Sequence, residues 1–286
     1  MDRQEIQFMT IADANYFKSV RISARQIKKF YPESTLNIYD WGLNKLQKKE
    51  LTEVGNVTLH EWKFAFPPLS SSFGKWNLLQ EIKHKIKSIL NFLRGEKFEF
   101  SFGSETYFFN KHLCIKDFNT KIKKPFAFLD GDAFLINNVD DLLNQDLDIA
   151  VTRRKKGEID YSFNNCQVIN TGVIFFLGNY STNKDLIENW SNELLKTKEY
   201  LAEQTALTRL LKNKKEKIFE TTPSSHTLNF SEVEIKVGIL PCEVYNYNWI
   251  KDFKSDKNRK VIKILHFKSG RFNTDLFRKI AHKLDL

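Results

Sequence analysis

The chain has no apolar run approaching the ~18 residues that would span a bilayer, which excludes a transmembrane helix as its organising element. Its opening residues, Met1 to Glu5, are charged where a secretory leader would turn apolar, so no leader is expected. Cysteine is scarce: Cys114, Cys166 and Cys242 lie far apart, form no CxxC pair and are odd in number, a poor disulfide framework that points to a reducing, cytoplasmic setting. Proline (6) and glycine (11) are few beside 25 Phe, which excludes collagen-like, low-complexity and wholly disordered classes. No internal repeat is visible.

What is present is 286 residues, enough for one large domain or a domain with an extension. The net charge is +10, carried by 35 Lys and 10 Arg. Such a diffuse basic balance suits nucleic acid, an anionic membrane or a phosphorylated substrate alike. It is densest in residues 251–286, where 11 Lys and Arg face four Asp and Glu.

Apolar Ile6 to Ala12 followed by Phe17, Val20, Ala24, Ile27 and Tyr31 reads as a strand and an amphipathic helix that Pro32 ends. Leu36 to Tyr39 predicts a second strand, Asp40, Trp41 and Gly42 a turn, Leu43 to Val54 a weak helix and Val57 to Trp62 a third strand. Alternation of this kind predicts an α/β fold with a parallel or mixed sheet. After a loop holding Pro67 and Pro68, Trp76 to Leu93 is helical. From 95 to 120 the pattern breaks into aromatics and charges and reads as an insertion or lid. Further strands are expected at Phe126–Leu129, Asp148–Thr152 and Val261–His266, and a hairpin or bent strand at Val168–Leu177. Helices are expected at Leu186–Leu195, Tyr200–Leu211 and Asn273–Leu284. The last carries Phe272, Leu276, Phe277, Ile280, Ala281 and Leu284 opposite Arg278, Lys279 and Lys283. That pattern fits either docking on the protein's own core or peripheral contact with an anionic membrane.

Asp130-Gly131-Asp132 ends a buried strand, where ligands of open α/β sheets gather, and two carboxylates one residue apart can share a hard divalent cation. Gly131 would let a phosphate approach. A second Asp-x-Asp, Asp146-Leu147-Asp148, precedes its strand instead. Read from the residues alone, the first pair fits a metal site and a turn with solvated carboxylates equally. His266 closes the last apolar strand and is followed by Lys268, Gly270 and Arg271, cations around a flexible residue such as a diphosphate on the same metal needs.

Taken together, these segments resemble glycosyltransferase family 8, retaining enzymes of the GT-A fold that use nucleotide-sugar donors. Ile11 to Tyr16 is similar to the family's first-strand motif, Leu129 to Asp132 to its Asp-x-Asp, and Ile169 to Val173 to its Asn-Ser/Ala-Gly segment. Glu203 to Leu207 is similar to its Asp-Gln-x-x-Leu segment, and His266, Phe267 and Gly270 to its C-terminal His motif. The resemblance implies a GT-A domain over 1–272, with 273–286 as a basic amphipathic helix. It implies that Asp13, Asn15 and Tyr16 meet uracil and ribose, and that Asp130, Asp132 and His266 hold Mn2+ or Mg2+. It also implies that Gly131, Lys268, Gly270 and Arg271 meet the diphosphate, and that Gln204, Glu203 and Asn170 act at the sugar. Three departures stand out: Gly270 comes four residues after His266 rather than three, Arg271 to Asn273 replace the family's continuation, and Glu203 stands where Asp is usual. For the family's Arg between the third strand and the metal motif, Lys75, Lys85 and Lys87 are the candidates.

The expected function is metal-dependent, retaining transfer of a hexose from a UDP-sugar to a glycan or glycolipid acceptor in bacterial cell-surface polysaccharide synthesis. The partners are then donor and acceptor, with no nucleic acid. The competing readings are a basic nucleic-acid-binding protein or metal nuclease, and a GT-A-like nucleotide-sugar-binding protein without turnover.

Overall fold

A computed structural model describes residues 6–93, 104–154, 168–212, 223–230, 233–248 and 260–267, together with 277, 279 and 282. Chain order runs β1 (Gln7–Ala12), α1 (Phe17–Phe30), β2 (Leu36–Asp40), α2 (Lys45–Val54), β3 (Val57–Glu61), α3 (Ser72–Leu93), α4 (Ser104–Ile122), β4 (Phe126–Leu129) and β5 (Ala133–Leu135). It continues with α5 (Asp140–Leu143), β6 (Ile149–Arg153), β7 (Ile169–Phe176), α6 (Tyr180–Lys196), α7 (Ala202–Leu211), β8 (Ser224–Phe230), β9 (Val233–Pro241), α8 (Cys242–Tyr245) and β10 (Ile264–His266). Eight strands form one mixed sheet in the order β3-β2-β1-β4-β7-β6-β9-β8, and β5 pairs with β10 in a separate two-stranded ribbon.

Helices cover both faces, so the central strands are apolar on both sides. Met9, Ile11, Phe126 and Phe128 face a core shared with α4, α6 and α7 through Ile115, Trp190 and Leu207. Their neighbours Phe8, Ala12, Ala127 and Leu129 face a second core with Val20, Ala24 and Ile27 of α1 and Leu51 of α2. Strands β2, β1 and β4 are mutually parallel, so their carboxyl ends open on one edge of the sheet.

Most of the expected elements are found within a residue or two, and three points bear on function. First, residues 104–120 of the expected insertion or lid lie in a core helix, α4, whose Phe109, Cys114, Ile115 and Phe118 are buried. The helical period was hidden because Glu105, Thr106, Asn110, Lys111 and His112 are buried beside them, and buried polar residues erase an apolar stripe. Second, of the expected hairpin or bent strand over 168–177 the structure holds the bent strand, β7, over Ile169–Phe176. Between Val151 and Thr152 of β6 the partner on β7 jumps from Ile174 to Asn170. Third, the sequence pattern suggests nothing between Leu211 and Val261, yet β8 and β9 pair there and extend the sheet. The expected terminal helix falls outside the described residues except at 277, 279 and 282. Phe277 is buried against Phe134 and Phe267, ring centroids 6.4 and 5.2 Å away.

Candidate active site

A cleft of about 820 Å³ lies at the carboxyl ends of β1, β2 and β4. It gathers Asp13, Asn15, Tyr16, Asp130, Gly131, Asp132, Asn170, Glu203, Gln204 and His266 from the sequence reading. Lys268, Gly270 and Arg271 lie outside the described residues.

The ribbon of β5 and β10 makes the acidic end of the cleft. Asp130 closes β4, and a tight turn (Ala133 N donating to Asp130 O, 2.8 Å) leads directly into β5. Antiparallel pairing sets His266 against Ala133, and Phe267 N donates to Asp132 O at 2.8 Å. A histidine from the far end of the chain is thereby stapled beside the two aspartates. His266 Nε2 lies 3.0 Å from Asp132 Oδ1 and 3.8 Å from Asp130 Oδ2. One donor atom from each of the three residues falls within 4.8 Å of the others.

Which nitrogen His266 offers follows from a hydrogen-bond chain with one obligate member. Gly172 N, a backbone donor, meets Asn170 Oδ1 at 2.8 Å, so that oxygen is an acceptor. Asn246 must then present its amide nitrogen to the same oxygen, at 2.9 Å, which leaves Asn246 Oδ1 to accept from His266 Nδ1 at 2.7 Å. With Nδ1 donating to Asn246, Nε2 is the nitrogen that faces the carboxylates: with its proton it bonds Asp132, and without it its lone pair is placed for a metal, as in a ligating histidine held by an outer partner. Burial opposes the charge on Asp132, but its bond and Coulomb attraction to His266 prevail and hold its carboxyl below the usual range. Gly172 completes the cradle: a Cβ there would meet His266 Cε1 at 2.3 Å and Asp130 Oδ2 at 2.7 Å. Two carboxylates and one imidazole fit a divalent ion such as Mn2+ or Mg2+.

Among the described residues, the lysine paired with Asp130 is neither Lys75 nor Lys85, which are exposed on α3, and the side chain of Lys87 is not among those described. It is Lys111 of α4, buried, with Nζ 3.4 Å from Asp130 Oδ1 and 3.2 Å from Glu203 Oε1. Burial works against its charge, but Asp130 and Glu203 outweigh that and raise its pKa. Recognising α4 as a helix would have brought Lys111 forward, since it lies one turn after Tyr107, another wall residue.

Glu203 and Gln204 start α7, and the turn before them is held from α4. Both carboxylate oxygens of buried Glu105 accept backbone N–H groups, from Leu201 at 2.9 Å and Ala202 at 3.1 Å. An acidic group there satisfies orphan donors of the helix N-terminus and stabilises the left-handed Leu201 (φ 54°). Glu203 accepts from Thr171 Oγ1 at 2.9 Å, and Trp190 Nε1 donates to its carbonyl. Gln204 is 6% exposed and its Nε2 has no hydrogen-bond partner among the described residues.

Burial, reinforced by Asp130 and opposed by Lys111 and Thr171, pushes the Glu203 carboxyl from 4.5 up to about 7. The folded chain therefore keeps a proton there that the unfolded chain releases. The associated stability is complete below pH 4.5 and lost as pH rises through about 7. The melting temperature of the wild type should fall relative to that of Glu203→Gln across this range. Parallel melting profiles for the two proteins would contradict the shift.

At the other end, Asp13 closes the turn after β1, its Oδ1 accepting from Asn15 N at 2.8 Å and Tyr16 N at 3.2 Å. Tyr16 is packed beside Gly131, where a Cβ would stand 2.6 Å from the Ile11 carbonyl. Burial, then Asp132, Asp130 and Asp13, raise the Tyr16 hydroxyl far above its ordinary range, so it remains a donor. Trp41, immediately after β2, and Tyr107 stand 5.7 Å apart as an aromatic wall, backed by Phe64. Asn110 holds the Phe64 segment, bonding Trp62 Nε1, Ala65 N and Ala65 O. Position was the available signal for Trp41: a residue just past a parallel strand's carboxyl end is placed to meet ligand. The second Asp-x-Asp is elsewhere, with Asp146 exposed and paired to Lys236 and Asp148 Oδ2 accepting from Lys236 N at 2.8 Å.

No curated protein matches this chain in sequence. Among solved structures, the galactosyltransferase LgtC, crystallised with donor and acceptor sugar analogues, is similar in fold with a TM-score of 0.55 at 12% identity, over 98% of this chain and 94% of LgtC. The glycosyltransferase GlyE of Streptococcus pneumoniae gives 0.56 at 13% identity, over 99% of this chain and 60% of GlyE. The bifunctional glycosyltransferase WbbM gives 0.54 at 14%, over 94% of this chain and 46% of WbbM. These likenesses identify the mixed α/β architecture as the GT-A fold. Residues 78–279 match the family of nucleotide-diphospho-sugar transferases, and this chain, a glycosyltransferase of GT-A fold, belongs to that family.

Proposed function

We propose that this glycosyltransferase is a retaining enzyme of family 8 that, with a divalent metal, takes a hexose from a UDP-sugar. The acceptor is a glycan or glycolipid of bacterial cell-surface polysaccharide synthesis, and the setting is cytoplasmic. The observation that carries this reading is the meeting, in one cleft, of the three metal-type donors with Gln204, whose buried amide nitrogen has no hydrogen-bond partner among the described residues. A buried donor left unsatisfied costs about 1–3 kcal/mol, and a ligand oxygen offsets that cost. Mn2+ or Mg2+ at Asp130, Asp132 and His266 supplies charge neutralisation for the leaving diphosphate. Asp13, Asn15 and Tyr16 bind the uridine, Gly131 gives the diphosphate close access, and Lys268, Gly270 and Arg271 are its remaining contacts. Lys111 holds Asp130 and Glu203 apart as a buried counter-charge. Gln204, Glu203 and Asn170 face the sugar, where positive charge grows on the anomeric carbon as its bond to the diphosphate breaks. The reading requires no nucleic-acid partner.

A thermal-shift panel of nucleotide sugars tests it: UDP-sugars with Mn2+ should raise the melting temperature, and guanosine counterparts should not. Equal stabilisation by both would remove the uridine assignment. Gln204→Ala should lower kcat by roughly 100-fold with little change in donor KM, because its contact matters most in the transition state. A β-linked product from an α-linked donor would overturn retention.

A further inference from the structure

Helix α3 is amphipathic in the inverse sense to α1. Its inward side carries Phe73, packed on Phe109, and polar Asn77 and Glu81, both bonded to Thr106 of α4. Its outward side carries Leu78, Leu79, Ile82, Ile86, Ile89, Leu90 and Leu93, each between 45% and 73% exposed. At about 100° per residue these side chains fall within one continuous arc of about 120°. Exposed Lys83 and Lys85 stand at the two edges of the arc, and exposed Lys75 lies within it near the start of the helix. Exposed Phe66 and Leu69 precede the helix. Isolated exposed apolar residues are ordinary on any surface, but a ridge of this length along one helix marks an interaction site.

We propose that α3 docks this protein on an anionic lipid surface, lying in the plane of the interface with the leucine and isoleucine ridge immersed and the lysines among phosphate headgroups. No described helix is long and apolar enough to cross a membrane, and a helix with one apolar arc edged by lysines lies on the surface instead. Charge decides between lipid and a second copy of the chain. The only acidic residue of α3, Glu81, lies off the outward arc and accepts from Thr106, so a symmetric contact between two copies would set one lysine-edged apolar arc against another with no acidic residue in either arc. Anionic headgroups complement the same lysines. α4, which packs on α3, supplies Tyr107 and Lys111 to the cleft, and Phe64 before α3 backs Trp41 there.

The test is co-sedimentation of the full chain with phosphatidylcholine vesicles, with and without phosphatidylglycerol, read beside sedimentation velocity without lipid. The expected result is a monomer that binds the anionic vesicles. Ile86→Glu combined with Ile89→Glu should weaken binding at least about tenfold, because each change replaces an immersed apolar group by a charge. Lys83→Glu with Lys85→Glu should weaken binding to anionic vesicles only, and high salt should do the same. All four positions are exposed and outside the cleft, so melting temperature and donor hydrolysis should match the wild type. Vesicle binding absent in the wild type, or unchanged by the isoleucine substitutions, overturns the proposal. So does a lipid-free dimer that those substitutions dissociate. Donor hydrolysis reads the catalytic assignment separately, so the failure of one reading is distinguishable from failure of the other.

Discussion

Asp132→Asn should reduce sugar transfer on the order of 1,000-fold or more while the protein still melts cooperatively. Asp132 is 5% exposed, yet its neighbour is the polar His266, so an isosteric amide removes charge without opening a cavity. Asp130→Asn should act alike and also leave Lys111 with Glu203 as its one ion-pair partner among the described residues. The other Asp-x-Asp is the internal control. Asp146 is exposed and Asp148 tethers β9 through Lys236 N, so Asp148→Ala should cost stability, about 1 kcal/mol for a lost capping-type bond, while sparing kcat. Measured Mn2+ affinity and kcat for these three variants and for Asp146→Ala decide the matter. Inactivation confined to Asp146 and Asp148 would put the chemistry elsewhere.

The second large effect comes from a residue with no functional group. Gly172→Ala places a methyl 2.3 Å from His266 Cε1, 2.7 Å from Asp130 Oδ2 and 2.9 Å from Asn170 Oδ1. None of these can retreat freely. His266 is tied to Asn246, Asn170 to Asn246 and to the Gly172 amide itself, and Asp130 to Lys111. The strain must be relieved by moving groups of the candidate metal site. An overpacking cost of about 1–3 kcal/mol is expected in the melt, with a far larger proportional loss, roughly 100-fold or more, in metal affinity and kcat/KM. A melt lowered to that extent with metal affinity intact would show that the strain is absorbed by the backbone, and that Gly172 serves packing alone.

The parts of the fold that were legible in the sequence are those where local pattern and tertiary environment agree. β1, α1 and β2 read correctly because their apolar spacing is the spacing of the surfaces they bury. β4 was legible because both its faces are covered and its four residues are all apolar. Agreement fails in α4, which buries Glu105, Asn110 and Lys111 for the sake of partners on other elements. It also fails in α3, whose apolar side faces outward. A hydrophobic pattern reports that a side chain is amphipathic and cannot say toward what it points.

By itself, then, the sequence determined the α/β alternation, the acidic pair at a strand end, and the order of short segments that resembles family 8, because each is carried by neighbours in the chain. Only the tertiary structure brought His266 to Asp132, through pairing of two three-residue strands. It alone selected Lys111 over Lys75 and Lys85, separated the metal-type Asp pair from the one that tethers β9, and oriented His266 through Asn246. Those outcomes depend on contacts between residues up to 136 positions apart, as Asp130 and His266 are. The chain acquires such contacts only when sheet register and helix packing set them, and spacing along the sequence carries no record of either.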